Sequence, residues 1–170
     1  MEGSDAERFA QSWEEVVAAW KRHDDAATLL ALQNWIEIWD VCFWKGDFSS
    51  FPTAYHSNVL IANNTRLQGL SPFRGGEGID AFRRLREESS DVLSWFRFQI
   101  ESIERSGDRV AALGTMRTRG RLSGLGIRVP FATIWTILDG KIARAEGFTS
   151  RRLALRTLRA GTLEPRRRDA

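Results

Sequence analysis

Apolar and polar positions divide the chain into a helical first part and an alternating second part. Over residues 1–22, Phe9, Trp13, Val16, Val17 and Trp20 recur at helical spacing, with Glu14, Glu15 and Lys21 between them. This pattern predicts an amphipathic helix. "RHDDAAT" interrupts it. A second helix is predicted over 26–44, with Trp35, Ile38, Trp39, Cys42 and Phe43 as its stripe and Gly46 at its end. Asp47 can cap a short helix over 48–55.

The period then changes. "NVLIAN" (58–63) is short, β-branched and bounded by polar residues, which predicts a strand. "NTRLQGLSPFRGGEG" has the chemistry of a loop, and "GIDAFRRLREES" that of a helix with Ile79, Phe82 and Leu85 inward. Four strands follow, in "LSWFRFQIESIE", "RVAALGTMRTRGRL", "RVPFATIWTIL" and "IARAEGFTS". The turns "RSGD", "SGLG" and "DGK" join them. "SRRLALRTLRAG" closes the pattern as a helix. Helices followed by an antiparallel meander predict an α+β fold. In it, helices lie on one face of a strongly curved sheet, and a curved sheet with helices across its mouth makes a cone.

Composition adds less. The 170 residues carry a net charge of +3, yet residues 1–50 hold ten acids against four bases, so the remainder is basic and ends in "RRRDA". A solvated terminus is the plain reading of that tail, and a nucleic-acid or anionic-lipid contact the other. Cys42 is the single cysteine. It lies in an apolar stripe, which makes it a core residue rather than half of a disulfide. No signal-peptide pattern and no run of roughly 20 apolar residues is present, so a cytoplasmic protein is expected. No cluster of His, Cys and Asp has ligand spacing, so no metal is expected. "FRGGEG" lacks the Gly-Lys-Ser/Thr end of a phosphate loop.

"FWKGDFSSF", "FRGGEGIDAFRR", "SGDRV", "RGRLSG" and "IWTILDGKIARAEGFTSRRLAL", in that order, resemble the SnoaL-like branch of the nuclear transport factor 2-like superfamily. The resemblance covers about residues 32–160. It implies an N-terminal helical extension (1–30), a cone domain (31–161) and a basic tail (162–170). It also implies a cone formed by a curved antiparallel or mixed sheet with about three helices over its concave face, plus the extra N-terminal helix, a homodimer through the outer face of the sheet and a small hydrophobic molecule in the cone. The superfamily includes polyketide cyclases, ketosteroid isomerases, limonene epoxide hydrolases and non-catalytic carriers, so fold alone does not give function.

Residue by residue, the matched positions depart from the carboxylate solutions of those enzymes. The isomerase base position matches Asn63, whose amide is not a base near neutral pH but can donate to a carbonyl or hold a water. The oxyanion donors match Trp39 and Thr133. The epoxide hydrolase Asp-Arg-Asp set matches Gly114, Met116 and Gly147, none of them ionisable. The cyclase acid matches Thr149-Ser150. Asn63 and His56 are therefore the catalytic candidates. Trp39, Phe43, Tyr55, Met116, Phe131, Thr133, Trp135, Gly147 and Thr149 are the candidate substrate-binding residues, and no cofactor is implied. Glu146 opposes Gly147 in parity and is expected to pair outward with an arginine.

If Gly114 and Met116 face the cone, alternation turns Arg117, Arg119 and Arg121 to the outer face. There they serve ion pairing or a dimer interface centred on Arg117 and Arg119. A bulge at Gly120 or Gly124 would instead carry Arg121 to the cone mouth. Neither a nucleic-acid nor a membrane partner is expected. Three functions stay open. One is a cofactor-independent cyclase, isomerase or dehydratase acting on a hydrophobic ring-bearing substrate. The others are a binding module for an apolar ligand and a dimeric assembly protein.

Overall fold

The structure is a computed structural model that describes residues 45–64 and 73–160, without the side chains of 95–97. The two predicted N-terminal helices, with Trp39, Asp40, Cys42 and Phe43, lie outside the described residues, as does the basic tail. Helix α1 (Phe51–Ala54) leads into β1 (Tyr55–Asn63), β2 (Gly75–Glu77) and α2 (Gly78–Val92). Strands β3 (Leu93–Ser106), β4 (Arg109–Gly120), β5 (Gly126–Leu138) and β6 (Lys141–Phe148) follow, and α3 (Arg151–Ala160) ends the described chain.

The six strands form one sheet in the order β2-β1-β6-β5-β4-β3, curled into a half-barrel. The predicted meander is β3 to β6, all antiparallel. Strand β1 adds to β6 in parallel, which makes the sheet mixed. Two boundaries differ from the sequence reading. Strand β1 begins three residues before position 58 and takes the end of the expected helix 48–55. "FRGGEG", expected as loop, contributes the edge strand β2, because its glycines allow a close approach to β1. A Cβ on Gly75 would lie 2.8 Å from the Ile61 carbonyl oxygen.

Strand alternation splits the core in two. Val110, Ala112 and Met116 of β4 join Phe51, Tyr55, Phe82 and Trp135 in the cluster that α1 and α2 cover. Ala111 and Leu113 join Ala132, Ile134, Phe148, Ala154 and Leu158 in a second cluster under α3. Helix α3 therefore packs on the sheet face opposite α2. We call the α2 side inner and the α3 side outer.

Both ends of α3 are satisfied by side chains. At its start the Leu153 amide donates to Ser150 Oγ at 3.3 Å. Near its end the buried Arg109 guanidinium donates to the carbonyls of Thr157 (2.7 Å) and Leu158 (3.3 Å). Cations and donors at a helix C-terminus answer both its orphan carbonyls and its dipole. Arg109 also reaches Glu146 at 3.5 Å, and Arg144 reaches the other Glu146 oxygen at 3.0 Å. Glu146 thus pairs with arginines on the outer side, as parity requires, but beneath α3 rather than in solvent, at 6% exposure.

Removing one member of such a buried set leaves the rest uncompensated. Arg109→Met is expected to cost about 3 kcal/mol, read as a lower urea midpoint with unchanged slope. Glu146→Gln keeps one acceptor oxygen but turns an NH2 donor toward the other arginine and removes the countercharge of both, so it is expected to lower the midpoint as well.

Candidate functional site in the cone

The inner face is filled at one end and open at the other. Tyr55, Val59, Trp135 and Ile142 are at most 1% exposed. Tyr55 stacks on Phe51 at 4.6 Å between ring centroids and 10° between planes. At the opposite end of the same face, Asn63, Gly147, Phe98 and Phe131 are only half-buried. A sheet face that is closed at one end and half-exposed at the other is a candidate wall for a ligand.

Register brings the wall together. Asn63 pairs with Gly147, Gly147 with Thr133, and Thr133 with Ala112, so one row crosses β1, β6, β5 and β4. Phe131, two residues before Thr133 on β5, stands beside that row and meets Phe98 at 4.4 Å. The Asn63 carboxamide is oriented from the loop side: its Nδ2 donates to the Phe73 carbonyl at 3.1 Å. Its backbone amide donates to the Arg74 carbonyl at 3.0 Å. Met116 lies on the same face, next to the Phe98 register position and opposite Val129.

The glycines explain why carboxylates are missing here. A Cβ on Gly114 would lie 1.9 Å from the Gln99 carbonyl oxygen, because the bulge between Ile100 and Ser102 pushes β3 onto β4. No side chain fits there. Gly147 differs: a Cβ would sit 3.7 Å from Asn63 Oδ1 and 3.9 Å from Phe131 Cε2, in ordinary contact. Gly147 thus keeps space open between the carboxamide and the ring. Among the described residues, the inner positions of β1, β4, β5 and β6 hold no Asp, Glu, His, Lys or Arg. The polar groups on this wall include the Asn63 carboxamide, the Thr133 and Thr118 hydroxyls and, deep in the filled end, the Tyr55 phenol and the Trp135 indole N–H. No group of three His, Cys, Asp or Glu among the described residues is arranged to hold a metal ion.

Two of the described candidates stand apart from the row. His56 is at the other end of β1 from Asn63, roughly 20 Å away at about 3.3 Å per residue. Its Nε2 donates to the Leu138 carbonyl at 2.9 Å. Thr149, past the end of β6, sits at the rim and lines a depression of about 470 Å³ with Glu101, Thr115, Ser150 and Arg151. Trp39 and Phe43 lie outside the described residues.

The arginines divide their roles. Arg117 and Arg119 are exposed beside buried Met116 and Thr118, as alternation requires. Arg119 Nε donates to the Gly124 carbonyl at 2.8 Å. Arg121 leaves the outer row expected from alternation: after the turn at Gly120 its Nε donates to the Ser90 carbonyl at 2.7 Å, at the end of α2. Arg117 is directly opposite Arg128 on β5, and Arg97 is its register partner on β3.

Residues 32–145 match the family model of the SnoaL-like domain, more than half of the chain. The chain belongs to the SnoaL-like domain family. Among solved structures, this SnoaL-like chain is similar to TerC co-crystallised with polyporic acid, at 20% identity over 78% of this chain and 99% of that one, with a TM-score of 0.59. It is similar to a nuclear transport factor 2-like protein of unknown function from Burkholderia pseudomallei, at 19% identity over 76% and 97%, with a TM-score of 0.57. A protein from Catenulispora acidiphila with a ketosteroid isomerase-like fold, in complex with trimethylamine, shares 12% identity over 68% and 85%, with a TM-score of 0.54. At these identities the likeness establishes the fold. No curated protein matches the SnoaL-like chain.

The sequence reading missed a polar set on the outer face. Thr115 Oγ1 donates to Glu101 Oε1 at 2.7 Å, and the Arg151 guanidinium bonds the other carboxylate oxygen. The Thr115 hydroxyl first, and then Arg151, hold the Glu101 carboxyl below its ordinary value. A carboxylate with a lowered folded-state pKa contributes stability above its unfolded value, near 4.5, and loses that contribution as pH falls through the folded value. Denaturant midpoints measured from neutral to acid pH are expected to fall less steeply for Glu101→Gln than for the parent chain. The two glycines separate folding from site shape. Gly114→Ala is expected to lower stability by about 2 kcal/mol or more, as overpacking does. Gly147→Ala is expected to leave the melting temperature within about 2 °C of the parent while narrowing the wall.

Proposed function

We propose that this SnoaL-like protein takes a small hydrophobic, ring-bearing molecule into the open end of the cone. The ring lies against Phe131 and Phe98, and a polar substituent meets the Asn63 carboxamide and the Thr133 hydroxyl. The observation that supports this reading is the half-buried row Asn63–Gly147 beside Phe131, on a face whose far end is filled. Aromatic rings supply most of the buried area in such a site, and a few polar groups fix orientation. The complexes of two structural neighbours, with polyporic acid and with trimethylamine, are in keeping with a small-molecule site in this fold.

Catalysis in this reading follows from the same wall. With no Asp, Glu, His, Lys or Arg among the described inner positions of β1, β4, β5 and β6, a proton-abstracting mechanism has no carboxylate, imidazole or amine base there. A cofactor-independent cyclisation, isomerisation or dehydration would instead depend on orientation and on polarisation of a carbonyl by the carboxamide N–H. His56, bonded at the other end of β1, takes no part in this scheme. A carrier would use the same contacts without turnover.

Titration with polycyclic aromatic ligands, followed by tryptophan fluorescence, tests the proposal, since Trp135 lies on the same face. We expect saturable quenching for at least one ligand bearing a carbonyl or hydroxyl group. Asn63→Ala should weaken it about tenfold, which corresponds to about 1.4 kcal/mol for a lost hydrogen bond. Quenching by no member of the panel, or quenching that Asn63→Ala and Phe131→Ala leave unchanged, would contradict it.

A further inference from the structure

The β4–β5 hairpin ends in a tip that the cone does not use. Leu122 is 99% exposed, Leu125 67% and Ile127 40%. They are three of the five large hydrophobic side chains exposed among the described residues, and they fall within six consecutive positions. The tip is an ordered turn. The Gly120 amide donates to the Leu125 carbonyl at 3.0 Å, and the Gly124 amide to the Gly120 carbonyl at 3.0 Å. Arg121 braces it against the end of α2 through its amide to the Val92 carbonyl (2.9 Å) and its Nε to the Ser90 carbonyl (2.7 Å). Fixing two leucines in water on a braced turn gains nothing for folding.

The hairpin is also basic. No acid occurs between Asp108 and Asp139, whereas five arginines do. Arg109 is buried with Glu146. Arg117, Arg119, Arg121 and Arg128 are exposed within a few residues of the tip. Two acids lie near this end: Asp91 on α2, beside the Ser90 and Val92 carbonyls that hold Arg121, and Glu101, which feels the charge of Arg128 but is engaged by Thr115 and Arg151.

We propose that the β4–β5 hairpin tip docks the protein on an anionic lipid surface, with Leu122 and Leu125 at the acyl boundary and the arginines at the headgroup phosphates. Apolar side chains backed by basic ones are the composition of interfacial anchors, and each basic residue near the surface strengthens attachment about fivefold. A second copy of the chain is the weaker occupant. A stable protein interface buries about 1,200–2,000 Å² in total, far more than a six-residue tip offers. A two-fold contact extended along β4 and β5 would also bring the Arg117–Arg128 pairs of two copies together. The expectation that no membrane partner exists rested on the lack of a spanning segment, and among the described residues no helix is long and apolar enough to cross a membrane. Surface docking needs none.

The test is co-sedimentation of the full chain with vesicles of phosphatidylcholine alone and of phosphatidylcholine with phosphatidylserine. We expect capture by the anionic vesicles only, weakening as salt rises. The pairs Leu122→Ser with Leu125→Ser, and Arg117→Gln with Arg128→Gln, should each reduce it about fivefold or more, with unchanged melting temperature. Replacing Arg166, Arg167 and Arg168 by Gln, which removes the basic tail, should leave capture in place. Absence of capture, capture lost with the tail instead of the tip, or tip variants that alter only the mass in solution by light scattering would each overturn the proposal. The last of these would assign the tip to a second copy.

Discussion

Strand β4 is buried on both faces, and the rest of the described structure depends on that. From Arg109 to Met116 every residue is buried. Odd positions meet α3, and even positions meet the cone cluster under α2. Over 109–116 such a strand can hold small or apolar residues and little else, which accounts for "VAALG" and for Arg109 as the one charge in that stretch, where Glu146 and two helix carbonyls receive it. The same double burial fixes register, because a one-residue slip would exchange the two faces. The cone wall is therefore as firm as the core beneath it.

That constraint also shapes the site. The bulge that presses β3 onto Gly114 removes one place where a carboxylate could stand, and Met116 fills another with apolar surface. What is left on the inner face is hydrogen-bonding capacity without charge, set beside aromatic rings. Such a wall discriminates by shape and by one or two polar contacts, and it would favour neutral ligands over charged ones, since an unpaired charge there would lose its hydration without compensation. Charge is kept to the outer face: Glu146 with its arginines, Glu101 with Thr115 and Arg151, and the arginines of the hairpin.

Much of this was legible in the alternation of residues. The four strands of the meander, the outward direction of Arg117 and Arg119, and the pairing of Glu146 follow from period two. The joining of Asn63 to Gly147 did not, because parallel pairing of β1 with β6 links segments more than eighty residues apart and leaves no local pattern. Strand β2 was hidden by Gly75 and Gly76, which look like a loop until their contact with β1 is known. The bulge at Ile100–Ser102 broke the parity of β3 and concealed Glu101. The amphipathic pattern of α3 predicted a helix but not its face, since both faces of the sheet offer apolar residues. The exposed tip at Leu122 and Leu125 was read only as a turn, because sequence does not show which leucines a fold leaves uncovered.

The central claim is that ligand enters at the Asn63–Gly147–Thr133 row and nowhere near the filled end. The most direct measurement is the nitrogen-15 NMR spectrum of the side-chain amides and histidines during titration with an aromatic ligand bearing a carbonyl group. The account predicts that the Asn63 carboxamide and the Gly147 and Thr133 backbone amides shift together and saturate, with His56 unmoved. Saturating shifts at His56 with Asn63 unmoved, or no shift along the row for any ligand that binds, would contradict it.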